Sequence, residues 1–232
     1  MFYIGIDLAW SKKNPSYIII AQYINNTLTI THNKYLLFEE ITQYIDNITT
    51  NQKTIIAIDA PIIINNELGN RQTEIDFLKD FSKYKLGAYP VNKTLFMKIY
   101  KSMAGVDLYN QLKTYNYKIG LYSNKNIIEV YPHATIMTLY NNMKVLPYKY
   151  KKGRSKEFIK EQLLIYSNFL KKDIYKIEIN LLDNKTFKSL KNYEDYLDSI
   201  NCTISAYYAV EHNNNLVYGN INIGLLLVPN KK

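Results

Sequence analysis

Four acidic residues stand where a carboxylate in a folded α/β protein needs a partner. Asp7, Asp59 and Glu129 each lie at or near the end of a short apolar run typical of a buried strand. A carboxylate beside an apolar core is costly unless it is paired, hydrogen-bonded or bound to a metal ion. If the three strands run parallel and side by side, the carboxylates converge at one sheet edge, where open α/β sheets bind ligands. The alternative is that each acid caps a turn or the following helix.

Asp198 is the candidate fourth member of this group. It lies in the last long segment with helical periodicity, residues 193–210. Steps of three and four residues lead from it through small side chains that allow close packing on a sheet: Cys202, Ser205 and Ala209. Alternatively, Glu194, Asp195 and Asp198 are first-turn acids favoured by the helix dipole. That interpretation suits Glu194 and Asp195 better than Asp198, which lies deeper in the helix.

Clustered carboxylates favour Mg²⁺ or Mn²⁺, which prefer hard oxygen ligands. Two such ions about 4 Å apart can align an attacking water and a leaving oxygen during phosphodiester cleavage. The chain has three histidines and one cysteine, without the spacing of a zinc site. His133 could orient a water or move a proton, but a residue in this position more often begins the next helix, and we favour that interpretation.

The substrate-binding candidates are basic. Arg71 and Arg154 are the two arginines among 29 basic residues, and arginine offers a flat fork for carboxylate or phosphate. Arg71 could pair with Glu74 or contact a phosphate, and the sequence leaves both open. A basic run interleaved with tyrosines suits contact with a nucleic-acid backbone, although an exposed loop is the simpler interpretation. Its members are Tyr148, Lys149, Tyr150, Lys151, Lys152, Arg154 and Lys156.

Composition indicates one ordered domain over residues 1–232. The chain is 47% hydrophobic and carries a net charge of +9, with a pI of about 9.2. This charge favours a polyanionic partner such as DNA or RNA, although the wealth of Lys, Asn, Ile and Tyr is also typical of AT-rich coding sequences. One cysteine, no signal-peptide pattern and no apolar run of spanning length predict a cytoplasmic protein without membrane contact.

The elements that must position these residues follow from periodicity. Residues 2–8, 16–23 and 27–31 predict a three-stranded antiparallel meander with a tight turn at Asn25-Asn26. A helix over residues 37–48 and a buried strand over 53–58 follow. A mostly helical insertion over about 62–123 is expected, with helices near 71–82, capped by Asn70, and 94–103. The remaining predicted elements are a strand at 126–131, helices at 158–170 and 193–210, and a closing strand at 221–228.

At these residues the chain resembles the DUF429 family, described as predicted nucleases with a ribonuclease H fold. The matching segments run in order from the first strand to the last: Gly5-Ile-Asp-Leu-Ala-Trp-Ser11, Ala57-Ile-Asp-Ala-Pro61, Asn66 through Gly69-Asn-Arg71 to Glu74, Gly87-Ala-Tyr-Pro-Val-Asn92, Glu129-Val-Tyr-Pro-His133, Glu194-Asp-Tyr-Leu-Asp198 and the tail at 221–229. The resemblance implies a ribonuclease H-like mixed sheet with helices on both faces. It also implies that Asp7, Asp59, Glu129 and Asp198 are the site acids, with Asp7 shared by both metal ions.

We therefore expect a metal-dependent nuclease that uses Mg²⁺ or Mn²⁺ on Asp7, Asp59, Glu129 and Asp198. Nucleic acid would be held by the substrate-binding set of Arg71, Arg154, Lys151 and Lys152. One alternative is a non-catalytic nucleic-acid-binding module, whose affinity would fall with salt but ignore EDTA. Another is an ATP-dependent phosphotransferase of the actin-like or sugar-kinase type, which the 8 glycines and the room for one domain disfavour. The sequence predicts no oligomeric state.

Overall fold

The computed structural model describes residues 1–177 and 187–231, without the side chains of residues 187 and 188. Nine strands of this described part belong to one mixed sheet. They are β1 (Phe2–Asp7), β2 (Ser16–Ile24), β3 (Thr27–Leu36), β4 (Thr54–Ile58), β5 (Lys118–Ile119), β6 (Lys125–Val130), β7 (Ile174–Tyr175), β8 (Asn215–Asn220) and β9 (Gly224–Pro229).

Seven α-helices and one 3₁₀ turn lie in the same described ranges. They are α1 (Phe38–Thr49), α2 (Gln72–Phe81), the 3₁₀ turn (Ser82–Tyr84), α3 (Lys93–Ile99), α4 (Ala104–Thr114), α5 (Pro132–Leu139), α6 (Lys156–Leu170) and α7 (Phe187–Glu211). None of these helices combines the length and the apolarity that crossing a bilayer requires, as far as the chain is described.

The sheet has the order β7-β3-β2-β1-β4-β6-β9-β8, with β5 beside the first half of β6. The predicted antiparallel meander β1-β2-β3 is confirmed, and β4 and β6 continue the sheet parallel to β1. Asn25 and Asn26 form the predicted two-residue turn, each with a positive φ, which matches the twist of a hairpin. The mixed α/β class and the central strand arrangement are therefore as expected.

Several predicted boundaries were wrong. β3 extends to Leu36 rather than residue 31, because its polar second half remains paired with β2 beyond a bulge at Ile20/Ala21. The helix expected at 94–103 is α3, which ends at Ile99, and α4, which follows it from Ala104, was not predicted. Arg71, not Asn70, is the residue that precedes α2. The closing strand is a hairpin of β8 and β9, whose turn lies where the predicted strand began.

Helices cover both faces of the sheet, as predicted. On one face α5, α6 and α7 pack against odd-numbered residues of the first strands, such as Tyr3 and Ile55. On the other face α1 and α4 pack against the even-numbered residues Ile4 and Ile56. Since successive side chains of a strand point to opposite faces, this alternation decides which face each acid can reach.

α7 lies very close to β1, because a glycine stands at the point where the two elements meet. A Cβ built on Gly5 would lie 2.0 Å from the Ser199 carbonyl oxygen and 2.3 Å from the Thr203 amide nitrogen. Only a residue without a side chain allows this approach. Along the same helix face the predicted small residues are all buried: Asp198, Cys202, Ser205 and Ala209. The glycine thus sets the helix that carries Asp198 directly on the strand that carries Asp7.

Candidate metal site at the sheet edge

Three of the four predicted acids converge at the carboxyl ends of the central strands. Asp7, Asp59 and Asp198 each offer a carboxylate oxygen, and these three oxygens all lie within 4.8 Å of one another. Asp198 is fully buried, whereas Asp7 and Asp59 remain partly open to solvent. Such a group could hold a metal ion, because buried carboxylates crowded together need a positive partner.

Strand register explains why Asp7 and Asp59 meet. Ile6 pairs with Ile58 in the parallel β1–β4 ladder, and the Asp59 amide donates to the Ile6 carbonyl at 3.0 Å. The two acids therefore follow their strands at equivalent positions. Both share the odd-numbered face that α7 covers, so Asp198 reaches them from above.

Glu129 lies apart from this group. It pairs with Ile58 in the β4–β6 ladder, one position before the level of Asp59. A one-residue offset turns a side chain to the opposite face of a sheet, and Glu129 accordingly shares the face of Ile127 and Ile58, which pack toward α1 and α4. The structure thus brings together Asp7, Asp59 and Asp198 and not Glu129.

Glu129 instead belongs to a buried ionic network with Arg71 and Glu74. The Arg71 guanidinium donates to both Glu129 oxygens, at 3.0 and 2.8 Å, and also to Glu74 and to the Ile63 carbonyl. These bonds occupy all five N–H donors that an arginine has. The Ile62 amide adds a third bond to Glu129 at 2.9 Å. Arg71 therefore pairs with Glu74, as one interpretation held, and keeps no donor for a phosphate.

The carboxylate of Asp198 is held by two buried tyrosines. The hydroxyls of Tyr148 and Tyr166 both donate to Asp198 Oδ1, at 2.7 and 3.0 Å. The other oxygen, Oδ2, lies 3.2 Å from Lys149 Nζ, yet it is a buried atom without a hydrogen bond from any described residue. A fully buried carboxylate oxygen without a hydrogen bond is costly. Because a carboxylate oxygen of Asp198 lies within 4.8 Å of those of Asp7 and Asp59, this cost fits a residue that serves as a metal ligand.

Acidic side chains outnumber the lysines around the site. Glu194 and Asp195, one turn before Asp198, are buried and share the ammonium of Lys191. They are not first-turn acids, because α7 begins at Phe187 rather than 193. Five acids thus face two lysines, Lys149 and Lys191, in this described region. The surplus of negative charge suits a divalent cation.

The pKa values of these groups reflect this charge balance. Burial raises the pKa of Asp7 well above its usual range, and the carboxylates of Asp195 and Asp198 add to the effect. Burial, with Asp198 nearby, raises the pKa of Asp59 to about 7, although Lys149 lowers it. Burial acts to lower the pKa of Lys149, but Asp198 and Asp59 outweigh it and hold that pKa well above its usual range.

Of the other basic candidates, Arg154 stabilises a loop beside the site, and Lys151 and Lys152 lie at the surface. Arg154 donates to the carbonyls of Pro147 and Lys149, at 3.0 and 2.6 Å, and so shapes the loop that carries Lys149. Lys151 and Lys152 are exposed on that loop.

His133 is the second residue of α5, as we favoured. Its ring packs against that of Tyr148, with 4.5 Å between the centroids and 38° between the planes. Its Nε2 contacts the Leu146 carbonyl at 3.2 Å. Burial lowers the pKa of His133 to about 4, so the ring is neutral at physiological pH and supports the Tyr148 side of the site.

Two cavities flank the three carboxylates, and Trp10 borders both. The first, about 340 Å³, opens beside Asp59 and Lys149. The second, about 570 Å³, lies on the side of Asp7, Asp195 and Lys191. The Trp10 indole N–H points to the Asp59 carbonyl at 3.4 Å. A substrate at the carboxylates would therefore have room on both sides.

Sequence reasoning did not assign Tyr148, Tyr166, Lys149 or Lys191 to the site. Lys149 and Tyr148 stood in the basic run, but nothing in the sequence separated them from their exposed neighbours. Tyr166 reads as an ordinary apolar position of α6. Lys191 precedes Glu194 and Asp195 by three and four residues, a spacing typical of helical ion pairs, so it could have been found if α7 had been predicted to begin earlier.

The chain was compared as a whole with known families, curated proteins and solved structures. Residues 5–222 match the family described as protein of unknown function (DUF429). The chain belongs to this family. Neither the curated proteins nor the solved structures provide a match.

Proposed function

We propose that the protein is a divalent-metal-dependent nuclease with a ribonuclease H-like core. The observation that carries the proposal is the convergence of Asp7, Asp59 and Asp198 within 4.8 Å at the carboxyl ends of β1 and β4. An antiparallel β1-β2-β3 meander beside parallel β4 and β6, crossed by a late helix that delivers an acid, supports the ribonuclease H-like assignment.

The donor set favours Mg²⁺ or Mn²⁺ over softer metals. The three grouped ligands are all carboxylates, and hard oxygen ligands select hard cations. His133 is not among the grouped ligands, and its Nε2 contacts the Leu146 carbonyl instead. The free Cys202 is buried in the core. When bound, two such ions would activate a water and stabilise the departing oxygen of a phosphodiester.

The protein's own groups have distinct tasks in this proposal. Asp7, Asp59 and Asp198 would hold the cations, and the hydroxyls of Tyr148 and Tyr166 fix the orientation of the Asp198 carboxylate through Oδ1. Lys149 lies within reach of the same edge and neutralises negative charge there. Exposed Lys151 and Lys152, with the net charge of +9, attract the polyanionic backbone.

The test is cleavage of fluorophore-labelled single- and double-stranded DNA and RNA in Mg²⁺ or Mn²⁺, with EDTA as the metal-free control. Asp7→Asn should abolish cleavage while the protein remains folded by circular dichroism. Asp46→Asn is the matched control, because Asp46 lies on α1, across the sheet, 3.5 Å from Lys125. A folded Asp7→Asn protein that cleaves as fast as wild type would refute the proposal.

Calorimetry separates binding from catalysis. Mn²⁺ titrated into wild type should bind, and Asp7→Asn, Asp59→Asn or Asp198→Asn should weaken that binding. Salt-dependent nucleic-acid affinity that ignores both EDTA and these substitutions, without cleavage, would instead favour the non-catalytic binding module.

A further inference from the structure

The cavity beside Asp59 has the size and lining of a small-ligand pocket. Its volume of about 340 Å³ is near the lower end of the range of such pockets. Charged groups lie at its mouth and along its inner wall. The rest of the lining is mainly apolar and aromatic, and includes Trp10, Phe77, Tyr89, Val91, Tyr131 and Leu226.

The aromatic wall at the mouth is rigidly supported. Trp10 stacks on buried Phe96, with 5.0 Å between ring centroids and 28° between planes. Tyr89 meets Trp10 edge-on at 5.2 Å and is 42% exposed. A planar group that enters here meets aromatic surface that is already held in position, and so binding orders few side chains.

The inner wall of the pocket is polar, but its hydrogen-bond donors are already used within the protein. Arg71, Glu74 and Glu129 line it, and the Arg71 donors are all committed to the two glutamates and the Ile63 carbonyl. This wall therefore offers no free positive charge to a phosphate. The positive group of the pocket is Lys149 at its mouth, beside Asp59, where the pocket joins the carboxylates.

We propose that this pocket takes one unpaired nucleobase of the substrate strand, next to the phosphate held at the carboxylates. This inference rests on the proposed nuclease function and names its substrate class. A base stacks on aromatic side chains such as those of Trp10 and Tyr89, while its phosphate remains outside with Lys149 and the metal ligands. A cavity of about 340 Å³ has no room for a stacked duplex, so the substrate is single-stranded or has an unstacked base.

The chain's single tryptophan makes the pocket directly observable, because Trp10 is the one indole among 232 residues. Adenosine 5′-monophosphate or uridine 5′-monophosphate, titrated in Mg²⁺, should quench the Trp10 fluorescence with a saturable curve. Ribose 5-phosphate and inorganic phosphate, which lack a base, should not. Equal quenching by ribose 5-phosphate, or none by either nucleotide, would overturn the inference.

Trp10 borders both cavities, so quenching alone does not show which cavity binds the nucleotide. Two small-to-large substitutions distinguish them. Ala88→Phe fills the pocket beside Asp59 and should abolish nucleotide quenching. The matched control Asn14→Phe occupies the neighbouring cavity and should leave it intact. Tyr89→Ala, at a partly exposed position, gives a second test and should weaken nucleotide binding at least about fivefold. Unchanged nucleotide binding in both Ala88→Phe and Tyr89→Ala would overturn the assignment.

The oligonucleotide cleavage assay keeps the two proposals apart. Cleavage without nucleotide quenching would support the nuclease proposal and refute the base pocket. Nucleotide quenching that Ala88→Phe abolishes, in a protein that shows no cleavage, would support the base pocket and refute the nuclease proposal.

Discussion

The Cα of Gly5 faces the carbonyl of Ser199 so closely that a single added methyl group would lie 2.0 Å from the oxygen. This contact sets the height of α7 above β1. Asp7 follows Gly5 by two residues on the same face, and Asp198 immediately precedes Ser199. The distance between strand and helix backbones at this point therefore governs the distance between two of the three site carboxylates.

Gly5→Ala should accordingly damage both stability and the site. The new methyl group meets backbone atoms of α7 that cannot rotate away, and overpacking of this kind costs about 1–3 kcal/mol. We expect a lower free energy of unfolding in urea and weaker Mn²⁺ binding in the protein that remains folded. Gly87→Ala is the control, because a Cβ there meets nothing within 4 Å. Wild-type Mn²⁺ affinity in Gly5→Ala would show that α7 does not need this approach to place Asp198.

The pH dependence of stability should reveal Asp59. In the metal-free protein the pKa of Asp59 is raised by burial from 3.8 to about 7, so the folded state keeps a proton that the unfolded chain has lost. Unfolding then releases this proton, and the free energy of unfolding falls as pH rises from about 4 to about 7. We expect a contribution on the order of 1–2 kcal/mol, since partial solvent access reduces it.

Asp59→Asn isolates that contribution from the opposing effect of His133, whose pKa is lowered to about 4 by burial. His133 makes the protein more stable as pH rises from about 4 to about 6.5, because its folded form binds fewer protons. The free energy of unfolding of Asp59→Asn should therefore rise relative to that of wild type as pH rises from about 4 to about 7. A difference that stays constant from pH 4 to pH 8 in urea titrations would contradict the raised pKa.

The tyrosines that hold Asp198 should matter for metal affinity. Tyr166→Phe removes one of the two hydrogen bonds to Asp198 Oδ1 and frees the carboxylate to turn. Loss of a group that orients a metal ligand typically costs about 10- to 100-fold in affinity, which Mn²⁺ calorimetry measures. Tyr117→Phe is the control, since Tyr117 is equally buried but lies on the opposite face near Thr49. Equal affinities for the two variants would show that Tyr166 serves packing alone.

Glu129→Gln should separate structural from metal-binding acids. Removing the charge leaves buried Arg71 short of a partner, and breaking such a pair costs about 3–5 kcal/mol. We expect a large loss of stability in urea with little change in Mn²⁺ affinity of the folded protein. A fall in affinity as large as that of Asp59→Asn would place Glu129 among the metal ligands after all.

The sequence predicted the central sheet well because its signals are local. Apolar β-branched runs around Gly5 and Ala57 specify buried strands, and the Asn25-Asn26 pair specifies a hairpin turn. It also predicted that the helix of Asp198 packs closely on the sheet, because small residues follow Asp198 at helical spacing. These features depend on neighbours a few positions apart, which periodicity can detect.

The position of Glu129 outside the carboxylate group could not be predicted, because it depends on contacts between distant parts of the chain. Its strand-end position resembled those of Asp7 and Asp59, but the β4–β6 register sets it one residue out of step. Register between strands separated by a long insertion leaves no trace in the composition of either strand. The arginine that captures Glu129 lies 58 positions away, and the Tyr148 loop reaches Asp198 across 50. Such contacts are settled only when the chain has folded.

The placement of Asp198 on α7 also has a consequence during synthesis of the protein on the ribosome. β1 and β4 leave the ribosome long before residue 198, and at ordinary rates of translation the delay between residues 59 and 198 is about 7–28 s. During that time a nascent chain holds Asp7 and Asp59 without their third partner. The hydrolytic chemistry proposed here would therefore be withheld until synthesis has passed α7, and a prematurely terminated product would carry an incomplete site.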